Sequence, residues 1–129
     1  MRDPVVITVP GSPDRILAPN RRAHGLAKAE ATRQHRRDAK WSAVAAMSNL
    51  PLPLHEFVGP VHVSALVRWA KGERSKDLDS VAVCVKPYID GLCDAGLMDN
   101  DSQMKRLTVQ QERDETGRGE VVLTVEAMA

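Results

Sequence analysis

A chain of 129 residues, 43% hydrophobic and 27% charged, is one domain's worth of protein: apolar enough to bury a core, and too apolar for a disordered segment. The net charge of +1 conceals an asymmetry, since eight Lys/Arg stand against two acids between Arg15 and Lys40, while from Asp77 onward eleven acids stand against five. The opening stretch MRDPVVITVP has no apolar run of the length a signal peptide or membrane helix needs, so the expectation is a cytoplasmic protein with no membrane partner.

VVITVP, Val5 to Pro10, alternates and is β-branched, which predicts a strand. Gly11 to Arg22 is rich in turn formers and predicts a loop. From about Ala23 to Asn49 the alanine-rich, proline-free composition predicts a long helix. Arg33, Arg36, Arg37 and Lys40 recur along it at three- and four-residue steps, and Ala27, Ala31, Trp41, Val44 and Ala45 are its expected buried side. A proline-punctuated connector follows, Leu50 to Pro60. VHVSALVRW, Val61 to Trp69, alternates again and predicts a second strand. Beyond a basic turn, Val85, Tyr88, Ile89 and Leu92 repeat at helical spacing. Placing Pro87 in the first turn, where its missing N–H costs nothing, predicts a helix from near Cys84–Lys86 to a C-cap at Gly96. LMDNDSQ reads as a loop, Lys105–Arg113 and Glu120–Met128 as strands, and DETGRG as a hairpin turn between them. The order β-α-β-α-β-β implies an α+β domain, a small mixed or antiparallel sheet covered by two main helices. With only Phe57, Tyr88, Trp41 and Trp69 as aromatics, aliphatic side chains and alanine must fill its core.

The carboxylates carry the chemistry. Asp77 and Asp79 stand at i and i+2, and on an extended chain both would point to one side, roughly 7 Å apart. Like charges held that close call for a cation, and an all-oxygen donor set suits Mg²⁺ before Zn²⁺. Asp99 and Asp101 are available to complete the set. The plainer reading is that these aspartates are turn formers and N-caps. A calcium loop begun at Asp77 or Asp99 would lack its glycine at the sixth position and its glutamate at the twelfth. With Arg21, Arg22, Arg36, Arg37 and Lys86 as cationic neighbours, the chemistry that fits is metal-assisted phosphodiester hydrolysis. Cys84 and Cys93 match no metal or redox spacing and read as free thiols in a reducing compartment. His24, His35, His55 and His62 are scattered and read as surface or satisfied side chains, with His24 and His35 near enough to the basic region to touch phosphate. Trp69 reads as a core residue at the rim, with stacking on an unpaired base as its sharper alternative.

The stretch KDLDS…VKPYIDGLCDAGLMDNDSQ resembles the RusA-type Holliday junction resolvases, small dimeric endonucleases of bacteria and phages. Lys76 takes the basic position, Asp77 and Asp79 the D-x-D pair, Lys86 the lysine four residues before Asp90, and Asp101 the third carboxylate, with Gln103 two residues on. The specific part is residues 76–103; a looser likeness covers the first strand, the basic region and the C-terminal strands. Three departures stand out: Ser80 where asparagine is common, Asn100 where a paired acid sits (with Asp99 one step back as a substitute), and seven residues rather than four from Asp79 to Lys86. The resemblance implies that Asp77, Asp79 and Asp101 bind Mg²⁺, with Mn²⁺ as a substitute, and position the attacking water. It implies that Lys86 stabilises charge at the scissile phosphate. Lys71, Arg74 and Lys76 would hold the backbone beside the cut, and Arg21, Arg22, Arg33, Arg36, Arg37 and Lys40 the duplex arms of a four-way junction or other branched DNA. A near-two-fold junction cut by paired nicks calls for a homodimer, with the exposed faces of the paired strands and the Leu50–Val58 connector as candidate interfaces. The setting implied is a bacterial cell or a phage-infected host.

Overall fold

The computed structural model describes residues 2–14, 17, 25–50, 56–73, 76–115 and 117–128. The elements run β1 (Val5–Pro10), α1 (Gly25–Met47), β2 (Val61–Trp69), α2 (Leu78–Asp94), a 3₁₀ turn (Asp101–Gln103), β3 (Met104–Arg113) and β4 (Glu120–Ala127). This is the expected α+β order, with a mixed four-stranded sheet and two helices.

The strands alternate as written in the sequence. Val5, Ile7 and Val9 of β1, every second residue of β2 from Val61 to Trp69, and Val121, Leu123 and Val125 of β4 are buried on one face. The helices supply the other half of that core through Ala39, Ala43 and Met47 of α1 and Val81, Val85, Tyr88, Ile89 and Leu92 of α2.

The sheet order is β1-β4-β2-β3, with β4 antiparallel to both neighbours and β2 parallel to β3. β2, α2 and β3 thus form a crossover unit. The expected β3–β4 hairpin does not form, because β2 lies between the two strands. The described residues after β3 (114, 115 and 117–119) instead cross the end of β2, tied down by Asp114 N–H donating to the Trp69 carbonyl at 2.8 Å and Lys71 N–H to the Gly117 carbonyl at 3.3 Å. Composition explains the choice. β4, carrying Val121, Val122, Leu123 and Val125 in succession, is the more apolar and gains most from a central slot, whereas β3, with Lys105, Arg106, Gln110, Glu112 and Arg113, tolerates an edge and protects it with charge. Gly119 makes the crossing possible. It has φ +82°, and a Cβ there would meet Ala70 N at 2.8 Å.

Two helix expectations are corrected. α2 begins at Leu78, not near Cys84–Lys86, so Pro87 lies inside the helix and leaves the Val83 carbonyl without its usual donor. An interior proline costs about 3 kcal/mol. It is offset here by an apolar face that starts at Val81, a full turn before the proline, and continues through Leu92. On α1 the buried stripe is Ala39, Ala43 and Met47; Ala27, Trp41 and Ala45 are exposed, and Trp41 lies open beneath the Lys40 ammonium, 5.0 Å from its ring centre. The small face was selected because α2 approaches closely at Gly91, where a Cβ would sit 2.8 Å from Ala39 Cβ and closer still to the Arg36 carbonyl.

Candidate functional site

The head of α2 is fixed from β3. Gln111 shares the inward register of Leu107 and Val109, facing the core side of β2. Its carboxamide accepts from Trp69 Nε1 at 2.8 Å and from Lys76 N–H at 3.1 Å, and donates to the Lys76 carbonyl. Trp69 is therefore a buried core residue and not a stacking platform, with the Lys76 ammonium 5.3 Å from its ring centre. Sequence reading missed Gln111. Its one signal is a polar residue continuing an apolar alternation.

Asp77 takes the N-cap position with φ −61° and ψ 144° but makes no side-chain cap bond, and Asp79 follows in the first helical turn. The extended D-x-D geometry is thus not what forms: the chain is extended only at Asp77. Both carboxylates are exposed, and two acids at a helix N-terminus are favourably placed against its dipole.

The early start of α2 puts Asp79 and Lys86 on one helical face, two turns and about 10 Å apart along the axis. Asp90 lies one further turn along that face. The Lys86 ammonium is held between Asp90 Oδ1 at 2.7 Å and Asp101 Oδ2 at 2.5 Å, and all three side chains are partly open to solvent. The two carboxylates hold the ammonium more firmly protonated than a free lysine, and Lys86 holds the Asp101 carboxyl below the usual carboxylate range. In the sequence Asp90 serves only to mark the position of Lys86; its i,i+4 spacing to that lysine is the signal for this pair.

The loop carrying Asp101 is itself braced. Gln103 accepts from Asp99 N–H at 2.9 Å and donates to the Phe57 carbonyl at 2.6 Å, while Asn100 caps the 3₁₀ turn by accepting from Ser102 N–H at 2.9 Å. Asn100, where the resemblance has a paired acid, therefore serves as a turn former, and Asp99 is exposed beside it. Lys105 shares a shallow groove with Phe57, Pro60 and Asp99 next to this loop, adding a cation that the sequence reading left unassigned.

The fit of a divalent ion follows from these positions. Among the described residues no three His, Cys, Asp or Glu side chains come together as a metal-holding group. Asp77, Asp79 and Asp101 supply suitable hard oxygens, but they stand apart, and Asp101 is already paired with Lys86.

The basic helix is partly self-neutralised. Arg36 makes a two-pronged pair with Asp94 of α2, Nε to Oδ2 at 2.5 Å and NH2 to Oδ1 at 2.8 Å. Arg33 pairs with Glu30 at 2.5 Å, while Arg37 is exposed. Lys71 is exposed in the turn after β2. Arg21, Arg22, Arg74, His24 and His55 lie outside the described residues, as does most of the 50–58 connector. His35 does not offer itself to phosphate. It stacks on Tyr88, accepts from Asp14 N–H on Nε2 at 3.1 Å and contacts Tyr88 Oη through Nδ1 at 2.9 Å. With Nε2 accepting, the ring is the neutral Nδ1–H tautomer, and burial holds its pKa below the ordinary histidine value. His62 is likewise satisfied, by Thr108 at 2.7 Å and Glu126 at 2.9 Å. Both cysteines are free, and burial pushes both thiols up, away from reactivity.

No described helix is long and apolar enough to cross a membrane. No protein-family model and no curated protein matches this chain.

Proposed function

We propose that this protein is a structure-selective endodeoxyribonuclease that resolves four-way junctions, or cuts other branched DNA, by paired nicks from a homodimer. The observation that carries the reading is the Lys86 ammonium held beside Asp101, on the helix face that also bears Asp79: a positive charge among oxygen donors suits a phosphodiester at the moment its charge grows. Lys86 would meet the scissile phosphate, Asp77, Asp79 and Asp101 would provide the carboxylates, and Lys71, Arg74 and Lys76 would hold the adjoining backbone. Arg37 and Lys40, with Arg21, Arg22, Arg33 and Arg36, would hold the duplex arms. Mg²⁺, or Mn²⁺ in its place, is a requirement to be tested, since its donors stand apart in this structure.

The test is cleavage of a synthetic immobile four-way junction, beside duplex and single-strand controls, with Mg²⁺ or EDTA. Symmetric nicks lost with EDTA, and lost in Asp79→Asn while binding persists, are the expected outcome. The separation of the three carboxylates favours a second reading, a DNA-binding module without catalysis. It predicts junction binding without cutting under any divalent ion, and no effect of Asp79→Asn.

A further inference from the structure

Three of the four aromatic side chains, Phe57, Trp69 and Tyr88, are buried to 1% exposure or less, and Trp41 alone is 58% exposed. An indole has more apolar surface to bury than almost any other side chain, so packing does not explain its place on the outside. Its setting is cationic. Arg33, Arg37, Trp41 and Ala45 follow one another along α1 at steps of four and are all exposed. The Lys40 ammonium lies 5.0 Å from the centre of the ring, and Ala45, one turn on, is too small to cover it. From Gly25 to Lys40 five Lys/Arg (28, 33, 36, 37, 40) stand against Glu30 and Asp38. Both acids are engaged, Glu30 by Arg33 at 2.5 Å and Asp38 by Gln34 at 2.9 Å. Trp41 to Met47 carries no charge at all. The surface also connects to the candidate site. Lys86 pairs with Asp90 at 2.7 Å, Asp94 one turn on pairs with Arg36 at 2.5 Å, and Lys40, one turn beyond Arg36, lies over Trp41.

We propose that Trp41 is a stacking platform for an unpaired base of DNA, with Arg37 and Lys40 holding the flanking phosphates. An indole face accepts any base, whereas a base paired and stacked within a duplex keeps its own faces covered. An exposed tryptophan among cations therefore favours DNA with open bases over intact duplex, and at a branch point it selects structure rather than sequence. This rests on the nuclease reading for its setting, but its measurement is of binding and needs no cleavage.

The experiment is fluorescence anisotropy in EDTA with three labelled DNAs: a short oligothymidylate, an immobile four-way junction and a closed hairpin duplex. The whole chain is compared with Trp41→Ala and Trp41→Phe. Trp41→Ala is expected to weaken oligothymidylate binding about tenfold, to weaken junction binding in the same direction and to leave the duplex unchanged. The salt dependence on oligothymidylate should stay the same, since a neutral ring releases no counter-ions. Trp41→Phe, which keeps an aromatic face, should recover most of the loss. Equal losses on all three DNAs, or a Trp41→Phe as weak as Trp41→Ala, overturn the inference. So does unchanged affinity for oligothymidylate, which would leave Trp41 as a contact for another protein. A chain that nicks junctions while Trp41→Ala binds oligothymidylate normally refutes the inference alone. A chain that shows the selective loss but never cuts refutes the nuclease reading alone, and one that binds none of the three DNAs refutes both.

Discussion

Arg36 and Lys86 each answer carboxylates from another part of the fold, and they differ in what they tie together. Arg36–Asp94 joins α1 to α2, whereas Lys86 joins α2 to the loop before β3. Because Arg36 and Asp94 remain substantially exposed, a double-mutant cycle with Arg36→Ala and Asp94→Ala should give a coupling of only about 0.5 kcal/mol in urea denaturation. His35 and Asp94 contribute to acid stability with one sign. Burial lowers the pKa of His35, so the unfolded chain takes up that proton first, and stability should fall as pH drops below about 6.5. Arg36 lowers the carboxyl of Asp94, whose contribution is present above the ordinary carboxylate value and lost as pH falls through its folded value. Urea midpoints at pH 7.5 and 5.5 should therefore differ in the native chain and converge in His35→Gln.

At the scale of elements, the helix contact turns on Gly91 and the strand crossover on Gly119. Gly91→Ala must push apart backbone and a Cβ of α1, and is expected to cost about 1–3 kcal/mol in urea denaturation. Gly119→Ala combines a positive φ with backbone contacts that cannot retreat, and a loss of similar size should lower its thermal midpoint. These two sites also mark where the sequence stopped being legible. Alternation located β1 and β2 to the residue, because each has one face in the core and one outside it. In α1 the many alanines offered no contrast between faces, and the stripe was set by the partner's glycine, which lies 52 positions beyond Ala39. DETGRG carries turn chemistry that serves a hairpin and a short crossing equally; the neighbour of β4 was decided by its apolarity and the polarity of β3. Pro87 misplaced the start of α2 because tertiary burial outweighed a local rule. With that earlier start, the seven residues from Asp79 to Lys86 are continuous helix and bring both onto one face.

For the molecule as a whole, the proposed function implies that charge governs the encounter with DNA. If Arg37, Lys40, Lys71 and Lys105 each touch phosphate, the logarithm of junction affinity should fall steeply with the logarithm of salt, and Arg37→Ala should flatten that slope by about one unit. Light scattering at concentrations that saturate the junction should report a dimer; a persistent monomer would leave each site to make one nick unaided.

The insertion of β4 between β1 and β2 also bears on how the protein is made. Val5 pairs with Val125, and among the described residues β4 is the strand beside β1. A nascent chain that has emerged as far as β3 therefore holds the β2–α2–β3 unit with one edge of β2 open and β1 unattached. One late segment fills both vacancies at once, so the sheet cannot close until β4 has left the ribosome, and the most distant pairing in the sequence sets the pace of folding.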